Sequence, residues 1–206
     1  MTARASAVEQ TRRRVLEATV ALHLRRLSAD ISLIDVAEEA QVSVQTVLRH
    51  FGSRDGLLEA ALQWATDDVE QERRVEPGDV TAAVRAVVDH YELRGDGVLL
   101  LLAQEGSEAF AARVTTHGRA VHRRWVTDTF GPLLARGEAR EEALDLLVVA
   151  TDVYTWKLLR RDRRLSLART RARMEALVRA VLALHHHARP ESAGSAATTG
   201  QQKESS

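Results

Sequence analysis

The segment from position 32 to position 51 constrains the fold more than any other part of this 206-residue chain. It contains two short helical patterns on either side of a tight turn at residues 41–43. Ser32 and Asp35 have the spacing of a capping box at the start of the first helix. Ser43 can cap the start of the second helix. The segment therefore predicts two short helices that meet at a sharp corner.

Small and apolar residues indicate how these two helices pack against each other. Val36, Ala37 and Ala40 share one face of the first helix, and the alanines allow a second helix to cross closely. Val47 and Phe51 of the second helix point back at that face. The second helix keeps six residues on its outer side, namely Val44, Gln45, Thr46, Leu48, Arg49 and His50. A short, braced helix that exposes Gln, Thr and Arg fits the major groove of DNA, so we interpret the segment as a helix-turn-helix.

The residues in and just after this segment resemble the N-terminal domain of TetR-type transcriptional regulators. The resemblance rests on four stretches and their spacing, which are Ile34 to Ala37, Val42 to Ser43, Thr46 to Phe51 and Ser53 to Leu58. Three positions depart from the usual pattern: Gln41 stands where a turn glycine is common, Leu48 where a tyrosine usually touches a phosphate, and Arg54 where a lysine is usual. The resemblance implies an all-α fold, with an N-terminal three-helix helix-turn-helix DNA-binding domain plus a C-terminal helical ligand-binding and dimerisation bundle.

We expect the DNA contacts to come from the second helix of the motif and from the turn that follows it. The expected set is Ser43, Val44, Gln45, Thr46, Leu48, Arg49, His50 and Arg54. Gln45, Thr46 and Arg49 can read base edges, whereas His50 and Arg54 can hold phosphates. The predicted partner is double-stranded DNA, although a net charge of zero implies modest affinity for DNA of unrelated sequence.

Composition limits the other function classes. Only three prolines and 11 glycines favour helices nearly throughout the chain. The absence of cysteine excludes disulfides, thiol catalysis and Cys-ligated zinc. The longest apolar run, residues 98–103, is too short to cross a bilayer, and the N-terminus lacks the apolar core of a secretory signal. We therefore expect a cytoplasmic protein with no membrane partner, and no motif indicates a cofactor or a metal.

Turn-forming residues divide the chain into parts. We expect disorder in residues 1–8, a helix-turn-helix domain in residues 9–52, a helical effector-binding and dimerisation domain in residues 53–189, and a disordered tail in residues 190–206. The predicted helices outside the motif are 9–27, 53–74, 79–94, 97–106, 108–129, 140–162 and 166–187. In this prediction Gly95 and Gly97 separate two helices. No strand pattern of useful length appears.

Aromatic and inward-facing polar residues of the later helices indicate a small-molecule pocket inside the C-terminal domain. The candidates are Trp64, Tyr91, Phe110, His117, Val121, Trp125, Asp128 and Asp152. An alternative stays open, in which these are ordinary core aromatics and satisfied core polar groups. TetR-like proteins generally bind an inducer in this domain, so the resemblance implies an effector without indicating its chemistry.

The last two predicted helices carry more apolar surface than one small domain needs to cover. The residues expected at a dimer interface are Leu147, Thr151, Tyr154, Leu158, Met174, Leu177, Val178 and Val181. Two such helices from each subunit can form a four-helix interface around a two-fold axis, which is how TetR-like regulators dimerise. A homodimer predicts an inverted-repeat operator, with both recognition helices on one side of the duplex.

The resemblance implies a homodimeric repressor of TetR type, released from an inverted-repeat operator by a small molecule. Two related alternatives stay open: a TetR-like DNA-binding protein without an effector, and an activator. An all-α ligand-binding protein or enzyme is the more distant alternative. No paired catalytic carboxylates, phosphate loop or activated nucleophile appear in the sequence, so we expect no enzymatic activity. A basic stretch, Lys157 to Arg173, could attract an anionic partner or be neutralised by acids elsewhere.

Overall fold

The computed structural model describes residues 3–137 and 139–186. Over this part of the chain the secondary structure is helical, without a strand, which confirms the all-α prediction. The helices are α1 Ala3–His23, α2 Leu33–Glu39, α3 Val44–Phe51, α4 Arg54–Glu72, α5 Val80–Gln104, α6 Ala109–Phe130, α7 Ala139–Ala150, α8 Val153–Lys157 and α9 Leu167–His186. The tail predicted for residues 190–206 lies outside the described residues.

The N-terminal unit consists of α1 to α3 and the first turns of α4. Its core includes Val15, Leu16, Leu22, Ile31, Val36, Ala37, Ala40, Val47, Leu57 and Ala61. Because Leu57 and Ala61 belong to α4, this core extends past the boundary predicted at residue 52. The helix that begins beside the recognition helix is therefore shared between the two halves of the chain.

The first helix begins and ends earlier than the sequence suggested. The expectation of disorder in residues 1–8 is wrong from Ala3 onward, because α1 already starts there. Alanines at positions 3, 5 and 7 favour a helix even without an apolar face to bury. The helix ends at His23, and a short 3₁₀ turn at Ser28–Asp30 leads into the helix-turn-helix.

Helix α5 runs without a break through the two glycines that were predicted to interrupt it. The prediction of separate helices at 79–94 and 97–106 is therefore wrong. Both glycines serve close packing instead. A Cβ added at Gly95 would lie 2.6 Å from the ring of Trp156, and a Cβ at Gly97 would lie 2.7 Å from the carbonyl oxygen of Leu24. No side chain fits at either position, so helix α5 accepts the low helix propensity of glycine there.

The predicted helix 140–162 is in fact divided. Helix α7 ends at Ala150, and the carboxylate of Asp152 accepts a hydrogen bond of 2.8 Å from the backbone N–H of Tyr154 at the start of α8. This N-cap sets a new helix direction. Asp152 was predicted to contact a ligand, but its carboxylate caps α8.

The basic stretch from Lys157 to Arg173 is half neutralised within the protein. Four of its cations pair with acids, in the pairs Lys157–Asp162, Arg160–Glu92, Arg161–Asp96 and Arg171–Asp89. Three of these acids lie on α5, so the pairs hold α5 against the C-terminal helices. The contacts favour the interpretation of this stretch as a solvated turn between helices that is partly neutralised by acids elsewhere in the protein.

The C-terminal half is built around α5, with α6, α8 and α9 packed against it and α7 packed against α6 and α9. Its core includes Val84, Val87, Val88, Tyr91, Val126, Phe130, Leu144, Leu147, Trp156, Met174 and Val178. Four residues predicted at a dimer interface are buried inside the protomer, namely Leu147, Thr151, Met174 and Val178. The interface prediction is wrong for these four, because their side chains are buried inside the protomer and cannot reach a second copy. Tyr154, Leu158 and Leu177 are exposed, and Val181 is half-buried.

The two halves contact each other at a second place besides α4. The backbone N–H of Ser28 donates a 2.8 Å hydrogen bond to the side-chain oxygen of Gln104, at the end of α5. The ring of His23 meets the ring of Phe110 edge to face, with 4.8 Å between centroids. Phe110 was predicted to line a ligand pocket, but the structure places it at this contact between the two halves.

Candidate functional site

The recognition helix α3 is fixed by two caps. Ser32 and Asp35 form the predicted capping box of α2, in which the Ser32 N–H donates to the Asp35 carboxylate at 2.8 Å. Ser43 accepts a hydrogen bond of 3.1 Å from the backbone N–H of Thr46 at the start of α3. The two hydroxyl groups of Ser43 and Thr46 also lie 2.9 Å apart. These local bonds fix the starts of α2 and α3.

The outer face of α3 presents side chains with the chemistry of base recognition. Gln45, Leu48 and Arg49 are exposed and lie on one side of the helix, while Val47 is fully buried on the other. Thr46 and His50 are half-buried at the edges of this face. Val44 differs from its prediction, because it packs partly against the N-terminal core. The side-chain amide of Gln45 and the guanidinium of Arg49 are therefore the most accessible hydrogen-bonding groups of α3.

Two of the acids on α2 are neutralised by arginines. The carboxylates of Asp35 and Glu39 on α2 pair with Arg26 at 2.7 Å and with Arg25 at 2.8 Å. Hydrogen bonds from Ser32, followed by those from Arg26, hold the pKa of Asp35 well below its usual range. Arg49 makes no ion pair with any described residue. Its charge is therefore available to a nucleic acid.

Two further cations flank the recognition helix. The guanidinium of Arg54, at the start of α4, donates a 3.3 Å hydrogen bond to the carbonyl of Ile31 and is otherwise exposed. The guanidinium of Arg12 lies over the ring of Phe51, 5.5 Å from its centroid. The start of α4 also offers free backbone N–H groups, a favourable place for a phosphate. This arrangement fits phosphate contacts on both sides of α3.

The turn between α2 and α3 holds a residue in an unfavourable conformation. Gln41 has a φ of 55°, in the left-handed region that favours glycine. We expect Gln41→Val to lower the free energy of unfolding by about 1–2 kcal/mol, because a β-branched side chain fits this region poorly. Gln41→Gly should change stability by less than about 1 kcal/mol, since relief of strain and the greater freedom of the unfolded chain offset each other. Urea denaturation checks both values, and a valine variant as stable as the native protein would contradict them.

A small cavity lies between the end of α4 and helix α6. Its volume is about 270 Å³. It is lined by Val69, Glu70, Arg73, Arg74, Val75, Pro77, Val121, Arg124, Trp125, Asp128 and Thr129. Three of these were predicted to contact a ligand: Val121 and Trp125 form part of an inner wall, and Asp128 is exposed. A larger depression of about 570 Å³ follows the outer surface of α5 and contains none of the predicted residues.

Other residues predicted for the pocket lie elsewhere. Trp64 packs against the N-terminal core. His117 is half-buried, and its Nε2 lies 2.9 Å from the hydroxyl of Thr66 on α4. Tyr91 is buried in the C-terminal core, where its hydroxyl donates to the carbonyl of Thr151 at 3.1 Å. The predicted set is therefore not one pocket: three of its members line the cavity between α4 and α6, and the other five lie elsewhere.

A buried polar cluster that the sequence did not predict lies beside the cavity. Its centre is Arg73, which follows the last residue of α4 and is only 6% exposed. The guanidinium carbon lies 5.2 Å from the centroid of the Tyr91 ring and 5.9 Å from that of Trp125. One guanidinium nitrogen of Arg73 lies 3.2 Å from Nδ1 of His122, and the indole N–H of Trp125 donates to the Arg73 carbonyl at 2.9 Å. Arginine, imidazole and two aromatic rings thus form one contiguous unit.

The protonation state of His122 follows from this environment. Burial, together with the charge of Arg73, lowers the pKa of His122 to about 3. The neutral ring then accepts a hydrogen bond from Arg73 at Nδ1 and donates from Nε2 to the hydroxyl of Thr151, 3.1 Å away. Burial also raises the pKa of Tyr91 to about 12, so its hydroxyl stays protonated. Arg73 is therefore the charged member of this unit.

An ion-pair cluster joins the last turn of α4 to α5. Glu72 accepts hydrogen bonds from His90 at 2.7 Å and from Arg94 at 2.7 Å, and Arg94 also pairs with Asp68. Burial would raise the pKa of Glu72, but the bonds from His90 and Arg94 outweigh it and lower the pKa to about 2. Burial and the charge of Arg73 lower the pKa of His90 to about 4. The end of α4 is thus held by two sets of contacts: Glu72 binds His90 and Arg94 on α5, and Arg73 binds His122 and Trp125 on α6.

Two kinds of comparison agree with this architecture. Residues 15–61 match the family model described as bacterial regulatory proteins, tetR family. A search of curated protein sequences finds no match to the chain. The fold resembles a tetR-family transcriptional regulator from Streptomyces coelicolor, with a TM-score of 0.62 and 23% identity over 85% of this chain and 89% of the other.

Two regulators from Rhodococcus have a similar fold. One transcriptional regulator from Rhodococcus sp. Rha1 has a TM-score of 0.63 and 15% identity, over 85% of this chain and 97% of the other. A TetR transcriptional regulator from the same organism has a TM-score of 0.54 and 18% identity, over 86% of this chain and 99% of the other. At such identities the likeness is one of fold.

These observations define, over the described residues, an all-α protein with an N-terminal helix-turn-helix and a C-terminal helical domain. The chain has the fold of TetR-family transcriptional regulators, and residues 15–61 carry the sequence pattern of that family. The resemblance stated from the sequence is thereby confirmed. None of the described helices combines the length and apolar character that crossing a membrane requires.

Proposed function

We propose that this protein is a homodimeric transcriptional repressor that binds an inverted-repeat operator and is released from it by a small molecule. The observation that carries the proposal is the exposed face of α3, where Gln45 and Arg49 project from a helix that is capped by Ser43 and buried through Val47. Such a helix can enter the major groove without rearrangement. The TetR-type fold supports the same interpretation.

The proposed dimer uses an apolar surface on the C-terminal helices. Of the described large apolar residues that are exposed, six lie on or just after α7, α8 and α9, namely Leu146, Val149, Tyr154, Leu158, Leu177 and Leu184. Four exposed alanines of α9 share the side that carries Leu177 and Leu184, at positions 172, 176, 180 and 183. Small residues let two helices approach closely across a two-fold axis. This surface replaces the buried part of the interface predicted from the sequence.

Helix α4 offers a direct mechanical link for release by a ligand. Its first residue, Arg54, lies beside the recognition helix, and its last, Glu72, is fixed to His90 and Arg94 on α5. A change at the end of α4 therefore displaces the N-terminal unit relative to the dimer axis. The ligand must bind the arrangement that cannot reach both half-sites more tightly than the arrangement that can.

Replacing Arg49 with alanine tests the DNA contact. We expect the Arg49→Ala variant to bind the operator about 5- to 150-fold more weakly and to lose base preference at one position of each half-site, because a bidentate contact to a base edge is removed. The operator is first isolated by footprinting purified protein on genomic DNA, and affinity is then measured by gel shift. Arg136→Ala, an exposed arginine of the turn after α6, is the matched control and should bind normally. Unchanged affinity and base preference for Arg49→Ala would contradict the assignment.

A regulator that binds DNA without an effector is the second candidate. It is favoured by one observation: the interior of the C-terminal half is filled by its own side chains, with Trp125 and Tyr91 packed around Arg73. The two candidates differ in whether any small molecule stabilises the protein and weakens operator binding.

A further inference from the structure

Arg73 is a buried cation that lacks a balancing anion, and it lines the cavity between α4 and α6. We propose that this cavity binds a small organic carboxylate with a flat apolar body, and that the carboxylate pairs with the guanidinium of Arg73. This inference rests on the proposed repressor function, because it names the chemical class of the effector.

The hydrogen-bonding capacity of Arg73 is mostly unused. Its Nε is buried and has no hydrogen-bond partner within the described residues. Its side-chain partners are the neutral ring of His122 and the protonated Tyr91, and no described carboxylate approaches within the 4.0 Å of an ion pair. A guanidinium has five N–H donors arranged to hold a carboxylate by two parallel bonds. Burying such a group without an anion is costly, so an anion that enters here gains much of that cost as binding energy.

The acids nearest to Arg73 are already engaged elsewhere. Glu72 is bound to His90 and Arg94, as described above. Asp152 acts on Arg73 only through space, because its carboxylate caps the N-terminus of α8. Glu70, at the rim of the cavity, pairs with Arg124. Apart from Asp128, an exposed acid that lines the same cavity and forms no ion pair with Arg73, these acids could neutralise Arg73 only by breaking another contact.

The shape of the cavity limits the rest of the ligand. A volume of about 270 Å³ admits a single ring or a short branched chain rather than a large effector. Its apolar walls come from Val69, Val75, Pro77, Val121 and Trp125. The ring of Trp125, which His122 and Arg73 already cover in part, lines the cavity, and aromatic pairs add to the gain from apolar burial. A flat carboxylate thus satisfies both the charge and the shape of this site.

Binding at Arg73 acts on the helix that carries the N-terminal unit. Arg73 directly follows α4, and its carbonyl accepts the hydrogen bond from the Trp125 indole on α6. A carboxylate that draws the guanidinium away from His122 disturbs this junction between α4 and α6. The site therefore couples ligand charge to the position of α4.

The test compares acids with neutral molecules of the same shape. Benzoate and trans-cinnamate are titrated into the full-length protein, with benzamide and trans-cinnamamide as neutral counterparts and inorganic phosphate as an anion without an apolar body. Binding is measured by isothermal titration calorimetry and by tryptophan fluorescence. We expect at least one carboxylate to bind at least about 30-fold more tightly than its amide, as for a buried charge pair that loses one partner. The same carboxylate should raise Tm, since it binds the folded state.

Variants at position 73 identify the residue responsible. Arg73→Met should fold, as judged by circular dichroism, and should bind the carboxylate at least about 30-fold more weakly. Arg73→Lys keeps the charge and should retain a preference for the acid over the amide. Arg136→Met, on an exposed turn, is the matched control and should bind the carboxylate normally. If Arg73→Met fails to fold, the proposal is judged from two other measurements. These are the preference of Arg73→Lys for the acid over the amide and the ratio of acid to amide affinity in the native protein.

Four outcomes would overturn the inference. These are binding of neither carboxylate up to about 10 mM, equal binding of acid and amide, undiminished binding by a folded Arg73→Met variant, and phosphate binding as tight as that of the carboxylates. Operator binding is measured separately by gel shift. If the protein binds its operator but no carboxylate, the carboxylate inference is wrong and the proposed role on DNA stands. If it binds carboxylates but no DNA, the repressor proposal is wrong.

Discussion

Replacing Gly95 with alanine is expected to lower the free energy of unfolding by about 2 kcal/mol or more. The added methyl group would lie 2.6 Å from the ring of Trp156, a side chain that is fully buried. Trp156 cannot withdraw easily, because its indole N–H donates to Glu92 at 2.9 Å and its ring lies against the guanidinium of Arg161. Overpacking of a rigid core typically costs about 1–3 kcal/mol. Chemical denaturation of native protein and variant measures the difference.

Gly118 provides the matched control for this substitution. It also lies inside a helix, α6, but a Cβ there would meet no atom within 4 Å. Gly118→Ala should therefore raise the free energy of unfolding by about 0.5–1 kcal/mol, since alanine has the higher helix propensity. If the free energy of unfolding falls for Gly95→Ala and rises for Gly118→Ala, the effect of packing is distinguished from that of helix propensity. A Gly95→Ala variant that gains stability as Gly118→Ala does would show that Trp156 has room to move.

The helix-turn-helix could be predicted from sequence because its geometry is local. Ser32 and Asp35 are three residues apart, and so are Ser43 and Thr46, so each cap closes within one helical turn. The alternation of buried and exposed residues along α3 also follows from helical periodicity alone. Such features need no information about distant parts of the chain.

Features that depend on distant partners were missed. The glycines of α5 indicated a break in the helix, but their contacts with Trp156 and Leu24 make them packing positions in a continuous helix. Asp152 looked like an inward polar group, yet it caps a helix that begins where the sequence shows no interruption. In both cases the local signal was ambiguous, and tertiary contacts decided the outcome.

The polar centre of the C-terminal half carries a weak sequence signal at most. His122 directly follows Val121, so it adjoins the apolar stripe of α6 that was identified. Arg73 lies next to another arginine at the end of a helix, where basic residues usually complement the helix dipole in solvent. Only the folded chain distinguishes the buried Arg73 from the exposed Arg74. The burial of Arg73 therefore could not be predicted from the sequence.

The second large effect is expected at the proposed dimer interface, where we predict that Leu177→Glu weakens dimerisation by about 100-fold or more. Leu177 is 46% exposed in the protomer and lies among the alanines on the outer side of α9. Because an interface around a two-fold axis contains each residue twice, the variant loses the burial of two leucines and places two carboxylates in an apolar contact. Sedimentation equilibrium measures the dissociation constant. Operator affinity should fall in parallel, since monomers bind the half-sites singly.

Leu93→Glu is the matched control for this prediction. Leu93 is even more exposed, on the surface of α5, and it is not one of the apolar residues of the proposed interface. The same change of charge there should leave both dimerisation and operator affinity unaltered. A Leu177→Glu protein that sediments as a dimer would place the interface on another surface. Loss of the dimer in both variants would point to the added negative charge itself, because two distant leucines share no contact that could explain a common effect.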